Sequence, residues 1–181
     1  MFRGLLWPPT FSPGKSMIIF GIDPGSHTTG YGIIKDAGGR LSIIDCGSIT
    51  TNSKDALSQR VCTIYKKLTE LVSEYQPDEM AVEDLFNAKN ARSSLILGHA
   101  RGVALLSGAM ADISVAEYAP REVKKALTGN GAATKEQVKF MVIRLLSLRD
   151  DPGSNDASDA LAVAICHSMR RNSKKLTGEL K

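Results

Sequence analysis

Met17-Ile18-Ile19-Phe20-Gly21-Ile22-Asp23-Pro24-Gly25 is the stretch of this sequence that decides the fold. Its first six residues are apolar or glycine without a break, which is typical of a central strand that is buried on both faces of a sheet. Asp23 ends the run, directly before the turn-forming pair Pro24-Gly25. Because α/β proteins expose ligand sites at strand ends, the stretch predicts an α/β protein whose central strand presents a carboxylate to a site.

Two more strands are predicted beside the first. Residues 29–35 alternate between polar and apolar side chains, and Asp36-Ala37-Gly38-Gly39-Arg40 has the composition of a hairpin turn. The segment Leu41–Ile49 then forms the third strand. The three segments predict an antiparallel meander.

Helices and short strands alternate after the meander. An amphipathic pattern from Leu57 to Leu71 predicts a helix that stops before Pro77. Because this helix connects the first strand to a strand at Glu79–Glu83, the two strands should be parallel. A helix at Ala91–Met110 and a strand at Ile113–Ala116 follow.

Three helices close the chain. Pro120 begins a short one that Gly129 ends, and Thr134-Lys135-Glu136-Gln137 fits a capping box that begins the next. The last helix is predicted over Asn155–Arg170. We therefore expect an α/β domain over residues 17–170, with a mixed five-stranded sheet flanked by helices. Residues 1–16 are interpreted as a disordered extension or a misplaced start, and residues 171–181 as a flexible basic tail.

Composition limits the classes of function. The chain has 181 residues, of which 43% are hydrophobic, and a formal net charge of +4, so it is long enough for one substantial core. The basic balance is compatible with a polyanionic partner. The three cysteines are scattered and read as reduced, buried thiols of a cytoplasmic protein, which argues against a disulfide framework or a zinc site. The sequence contains no long uncharged apolar run, so it predicts no membrane span.

Four acidic residues at three separated places carry the chemistry: Asp23, Glu83, and the pair Asp156 and Asp159. Each lies against apolar sequence, and carboxylates are rarely buried unless they are paired or hold a metal. Hard oxygen ligands favour Mg²⁺ or Mn²⁺. Two such ions about 4 Å apart would activate water and stabilise the leaving oxygen of a phosphoryl displacement.

Each acid has a simpler explanation when it is taken alone. Asp23 could start a turn, Glu83 could be an exposed strand end, and the two aspartates could be ordinary acids of a first helical turn. The predicted topology nevertheless brings all four to one end of the sheet. No serine, cysteine or histidine occurs in a convincing nucleophile arrangement, so metal-activated water is the favoured mechanism.

The motifs resemble those of RuvC-type Holliday-junction resolvases, a family with a ribonuclease H-like fold. The resemblance begins with Gly21–Ser26 and Thr29–Gly32, and continues through residues 81–83, 86–90, 98–102, 117–124 and 156–162. It covers about residues 17–169, with compatible spacing throughout. It implies a homodimeric, magnesium-dependent endonuclease that binds four-way junction DNA, cuts two strands symmetrically, and works with a branch-migration motor.

The resemblance also implies roles for individual residues. Asp23, Glu83, Asp156 and Asp159 match the catalytic, metal-binding acids of the family. Phe86 matches an aromatic residue that stacks on opened bases, and Lys124 and Lys135 match basic residues that contact the DNA backbone. The alternative for Phe86 is a loop residue that packs in the core, and for each lysine an ordinary surface position.

Three rival functions deserve comparison. An actin-like ATPase would need a second domain and further phosphate loops, and this chain offers neither the length nor a glycine-rich P-loop. A ribonuclease H-like nuclease for structured RNA would keep the fold and change the substrate. A junction-binding protein that does not cut would gain nothing from four acids facing phosphate.

Overall fold

The structure, a computed structural model, describes residues 16–25, 27–84 and 91–177. The extension over residues 1–15 and the proposed stacking residue Phe86 therefore lie outside the described residues. Five strands occur in the described part of the chain: β1 (Met17–Asp23), β2 (Thr28–Ala37), β3 (Arg40–Thr50), β4 (Glu79–Glu83) and β5 (Ser114–Tyr118). The helices are α1 (Leu57–Tyr75), α2 (Ala91–Met110), α3 (Pro120–Thr128), α4 (Lys135–Leu145) and α5 (Asn155–Leu176).

The strands form one mixed sheet in the order β3-β2-β1-β4-β5. β1 is antiparallel to β2 and parallel to β4, and β5 is parallel to β4. β2 and β3 complete the antiparallel meander. The predicted α/β class, the five-stranded sheet and the parallel pairing of the first and fourth strands are confirmed.

Each face of the sheet has its own apolar core, because successive side chains of a strand point to opposite faces. Phe20 and Ile22 of β1 pack with Met80 and Val82 of β4 in the core beneath α1 and α2. Ile19 belongs to the other core, which α3, α4 and α5 cover. β1 is thus buried on both faces, as its unbroken apolar run predicts.

The last helix is longer than the sequence predicts. The predicted helix ends at Arg170, whereas α5 continues to Leu176. Arg171 Nε donates to Glu79 at 2.9 Å, and Asn172 Nδ2 donates to Asp36 at 3.0 Å. These contacts join residues far apart in the chain, so the local polar composition that suggests a solvated tail from residue 171 is misleading.

Two smaller expectations also need correction. β5 lies at Ser114–Tyr118 and not at Ile113–Ala116, because pairing with β4 extends to Tyr118 opposite Glu83. Cys62 is exposed and not buried, since the buried side of α1 is formed by other residues, among them Ile64 and Leu68. None of the helices that the structure describes is long and apolar enough to cross a membrane.

Candidate active site

Asp23 and Glu83 lie side by side at the ends of two parallel central strands. The residues before them, Ile22 and Val82, are paired in register, so the next residue on each strand reaches the same edge of the sheet. Both carboxyl groups are half-buried there. A hydrogen bond joins the two side chains, which confirms the predicted convergence of these strand ends.

α5 carries the two aspartates onto this edge by packing directly on the backbone of β1 and β2. A Cβ atom on Gly21 would lie 2.2 Å from the Ala160 carbonyl oxygen, and one on Gly30 would lie 2.0 Å from the Asp156 carbonyl oxygen. No side chain fits at either contact. The two glycines therefore set how closely the acid-bearing turn of α5 approaches Asp23.

Ser154 fixes the start of α5. Its hydroxyl accepts a hydrogen bond from the Ala157 amide at 3.1 Å, as a helix N-cap does. The same oxygen lies 2.6 Å from the Ser48 hydroxyl on β3. This pair of contacts holds the first turn of the helix, which contains Asp156, against the sheet.

The pKa values of Asp23 and Glu83 are raised by burial and by the charges of the neighbouring acids. Burial, followed by the charges of Asp159 and Asp156, raises the pKa of Asp23 from 3.8 to about 6. Burial and the neighbouring Asp23 charge raise the pKa of Glu83 from 4.5 to about 8. The hydrogen bond between the two raises the pKa of Glu83 and lowers that of Asp23. Glu83 therefore carries the proton and is the hydrogen-bond donor to the Asp23 carboxylate.

Lys135 supplies positive charge to this group. Its Nζ atom donates to Asp159 Oδ2 at 2.9 Å, and this contact raises the pKa of the lysine. The Lys135 charge in turn acts to lower the pKa of both Asp23 and Glu83. The structure therefore brings this predicted DNA-contacting residue into the acid cluster itself.

Lys124 lies close by, half-buried on α3. A cavity of about 170 Å³ opens beside the acids, lined by Glu83, Pro120, Val123, Lys124, Lys135, Val138, Asp159 and Ala162. Four of the six predicted site residues in the described part of the chain line this cavity. The other two are Asp23, which is hydrogen-bonded to Glu83, and Asp156, whose charge raises the pKa of Asp23.

The acids suit a divalent cation in their chemistry, since all four offer hard carboxylate oxygens. Burial, and after it the charges of the neighbouring acids, raise the pKa values of Asp23 and Glu83, and a bound cation would favour the ionised form of both. Among the residues that the structure describes, no three His, Cys, Asp or Glu side chains are arranged to hold an ion. The Asp23–Glu83 hydrogen bond and the Lys135–Asp159 contact occupy oxygens that would serve as ligands.

Arg101 on α2 is a residue whose contact the sequence alone does not indicate. Its Nε atom lies 3.2 Å from Asp84 Oδ1, and its guanidinium also pairs with Glu117. Asp84 directly follows Glu83, and its amide donates to the Tyr118 carbonyl at 2.8 Å. The motif at residues 98–102 marks Arg101, but only the pairing of β4 with β5 reveals its partners.

Comparison with known proteins identifies the family. The model of the family described as crossover junction endodeoxyribonuclease RuvC matches residues 19–167. The chain belongs to the RuvC family. A RuvC protein of Desulforamulus reducens is 52% identical over 153 residues, which are 84% of this chain and 94% of the relative. One of Legionella pneumophila is 48% identical over 162 residues, covering 89% and 92% of the two chains.

Solved structures agree with this assignment. The structure of T. thermophilus RuvC in complex with a Holliday junction substrate superposes with a TM-score of 0.82 at 30% identity, covering 87% of this chain and 96% of that one. The yeast mitochondrial Holliday junction resolvase Ydc2 matches with a TM-score of 0.64 at 11% identity, over 88% of this chain and 80% of its own. At that identity Ydc2 shows the fold alone. The ribonuclease H-like fold of the RuvC family is thus confirmed.

Proposed function

We propose that this chain is a DNA endonuclease that resolves Holliday junctions in recombination and repair by hydrolysing phosphodiesters. The observation that carries this proposal is the convergence of Asp23, Glu83, Asp156 and Asp159 on one sheet edge, in a chain of the RuvC family. Acids that repel one another beside basic side chains are suited to hold cations and a phosphate at one place. A protein that only binds DNA would not need such acids.

The four acids are proposed as the metal ligands and catalytic residues. Mg²⁺ is the proposed ion, with Mn²⁺ as a substitute, and two ions per site is the proposed number. Bound there, the ions supply the positive charge that activates water and stabilises the leaving oxygen. Glu83 must lose its proton before both of its oxygens are available, and the Lys135 contact occupies one oxygen of Asp159.

Two lysines are proposed to hold the DNA backbone near the acids. Lys124 and Lys135 border the cavity beside Glu83, where a phosphate next to the acids would meet both ammonium groups. Phe86 is proposed to stack on opened bases at the junction, by resemblance to the family, and base stacking on an aromatic ring is worth about 1–3 kcal/mol.

A homodimer is proposed, and α2 offers a surface for it. Leu95, Leu106 and Met110 are 68%, 50% and 68% exposed, and helical spacing places them on one stripe with Gly98 and Gly102. A Cβ atom at either glycine would meet nothing within 4 Å. The stripe is therefore open for a second helix to approach closely, and two copies joined there would give paired, symmetric nicks.

The dimer proposal can be tested by changing one residue of that stripe. Leu106→Glu should convert a dimer to a monomer in analytical ultracentrifugation, because it places a charge in the apolar contact. Phe140→Glu is the matched control, since Phe140 is an equally prominent exposed residue, 60% exposed, on α4. A dimeric Leu106→Glu protein would place the interface elsewhere.

Cytoplasmic location is also proposed, from the three free cysteines, and cooperation with a branch-migration motor from the family resemblance. A pull-down with the motor proteins of the same cell would test the second.

The activity itself is tested with a labelled four-way junction and a matched linear duplex, with and without Mg²⁺. Paired, magnesium-dependent nicks on the junction alone are expected. Cleavage of structured RNA in preference to the junction would favour the RNA nuclease instead. Tight junction binding without cleavage in either Mg²⁺ or Mn²⁺ would favour a binding protein.

A further inference from the structure

We propose that the Lys135 ammonium is the built-in counter-ion of the acid cluster, and that a divalent cation binding to the cluster displaces it from Asp159. This inference rests on the metal site of the proposed function. It assigns Lys135 a role in the protein without DNA, before any phosphate is present.

The position of Lys135 shows that the contact with Asp159 is built into the fold. Lys135 is the first residue of α4, and Thr134 before it is the N-cap, with a side chain that accepts from the Gln137 amide at 3.3 Å. A cation in the first turn of a helix is unfavourable, because the positive end of the helix dipole lies there. The 2.9 Å contact with Asp159 compensates for that placement.

The charge of Lys135 reaches beyond its direct partner. Asp159 is the main cause of the raised pKa of Lys135, and Asp23 and Glu83 contribute in the same direction. Lys135 conversely opposes the rise in pKa of Asp23 and Glu83. One lysine thus offsets the mutual repulsion of three acids on two strands and one helix.

A cation at the acids would compete with Lys135 for the negative charge of Asp159. Asp159 Oδ2 accepts from Lys135, and in the described parts of the chain no group of three ligating side chains is formed around the acids. The Lys135 side chain is 73% exposed, compared with 25% for Asp159. The lysine can therefore move away into solvent while the aspartate stays in place.

Displacement leaves the lysine where it is useful for DNA. Lys135 and Lys124 border the same cavity as Glu83. An ammonium released from Asp159 remains within a side-chain length of that cavity, where it can bind a phosphate. Binding of a cation to the acids would then also free Lys135 for the adjacent contact with DNA.

The chain provides a matched control on the same helix. Lys139 lies one turn after Lys135, is partly buried, and pairs with Asp151 in the loop before α5. Lys139→Met removes the same charge and the same kind of ion pair. It leaves the Asp159 contact in place, so it reports the general cost of losing a lysine of α4.

The test compares wild type, Lys135→Met, Lys135→Arg and Lys139→Met without DNA. Thermal unfolding is measured in EDTA and in saturating MgCl₂, and Mg²⁺ binding by isothermal titration calorimetry. In EDTA, Lys135→Met should lower the Tm by about 2–4 °C. It should bind Mg²⁺ about 3- to 10-fold more tightly, because the competing charge near the ion is gone, and its Tm deficit should vanish in MgCl₂.

Lys135→Arg should behave like wild type in EDTA. Lys139→Met should lower the Tm by the same amount in EDTA and in MgCl₂, and its Mg²⁺ affinity should equal that of wild type. Unchanged or weaker Mg²⁺ binding by Lys135→Met would overturn the inference and leave the metal site intact. A wild-type protein that neither binds Mg²⁺ nor gains Tm would overturn the metal site itself, whatever the variants do in EDTA.

Discussion

Glu83→Gln should stabilise the metal-free protein while it abolishes cleavage. The pKa of Glu83 rises from 4.5 to about 8 on folding, so at pH 7 the folded protein keeps a proton that the unfolded chain releases. Keeping this proton lowers the free energy of unfolding by about 1.4 kcal/mol for each pH unit between 4.5 and 7. Allowing for solvent at this half-buried site, the cost is about 2–3 kcal/mol. Glutamine carries no charge and can still donate to Asp23, so the variant avoids most of this cost.

The expected gain in Tm is about 4–10 °C at pH 7 in EDTA, for a domain of this size. The folded wild type binds more protons than the unfolded chain between pH 4.5 and 8, so its stability falls as pH rises through that window. Glu83→Gln should lose most of this slope. Asp23, whose pKa rises from 3.8 to about 6, keeps a smaller slope of the same sign below pH 6.

Urea unfolding at pH 5, 6, 7 and 8 in EDTA measures both effects. Glu70→Gln is the control, because Glu70 makes an exposed ion pair with Lys67 on α1 and should change stability by less than about 0.5 kcal/mol. A Glu83→Gln protein that is no more stable than wild type at pH 7, or that keeps the full pH slope, would refute the inference that burial and the Asp23 charge raise the pKa of Glu83.

Other substitutions test the remaining parts of the site. Asp23→Asn should abolish nicking of a labelled junction in a gel assay while binding in a mobility-shift assay survives, and loss of both would indicate a structural role. Lys124→Ala should reduce the slope of log binding constant against log salt concentration by about 1, and an unchanged slope would remove this residue from the DNA contacts. Gly30→Ala should cost several kcal/mol in unfolding and most of the activity, because its Cβ atom would lie 2.0 Å from the Asp156 carbonyl oxygen; near-normal cleavage would show that α5 can shift without harm.

The fold and the acid cluster could be predicted largely because local sequence determines them. The apolar run ending at Asp23 defines a central strand, and the helix before Glu79 makes β4 parallel to it. Parallel pairing then brings Asp23 and Glu83 together without any knowledge of side-chain packing. The motif of Asp156 and Asp159 depends only on their spacing within one helix.

Contacts between distant segments could not be predicted in the same way. The Lys135–Asp159 pair depends on how α4 packs against α5, which no local pattern encodes. The same is true of Arg171, which reaches Glu79 and extends α5 beyond its predicted end. The close approach of α5 to Gly30 is likewise visible only when the helix is in place.

Contacts with the sheet hold α5 at both of its ends. Its 22 residues span about 33 Å. The first turn carries Asp156, and Arg171 and Asn172, in the last two turns, are bonded to β4 and β2. Near the acid end, the backbone of the helix lies against bare glycine backbone of β1 and β2, so this end cannot move closer to the sheet. Because contacts with the sheet hold both ends of the helix, a change that frees Arg171 and Asn172 would also loosen the helix that carries the acids.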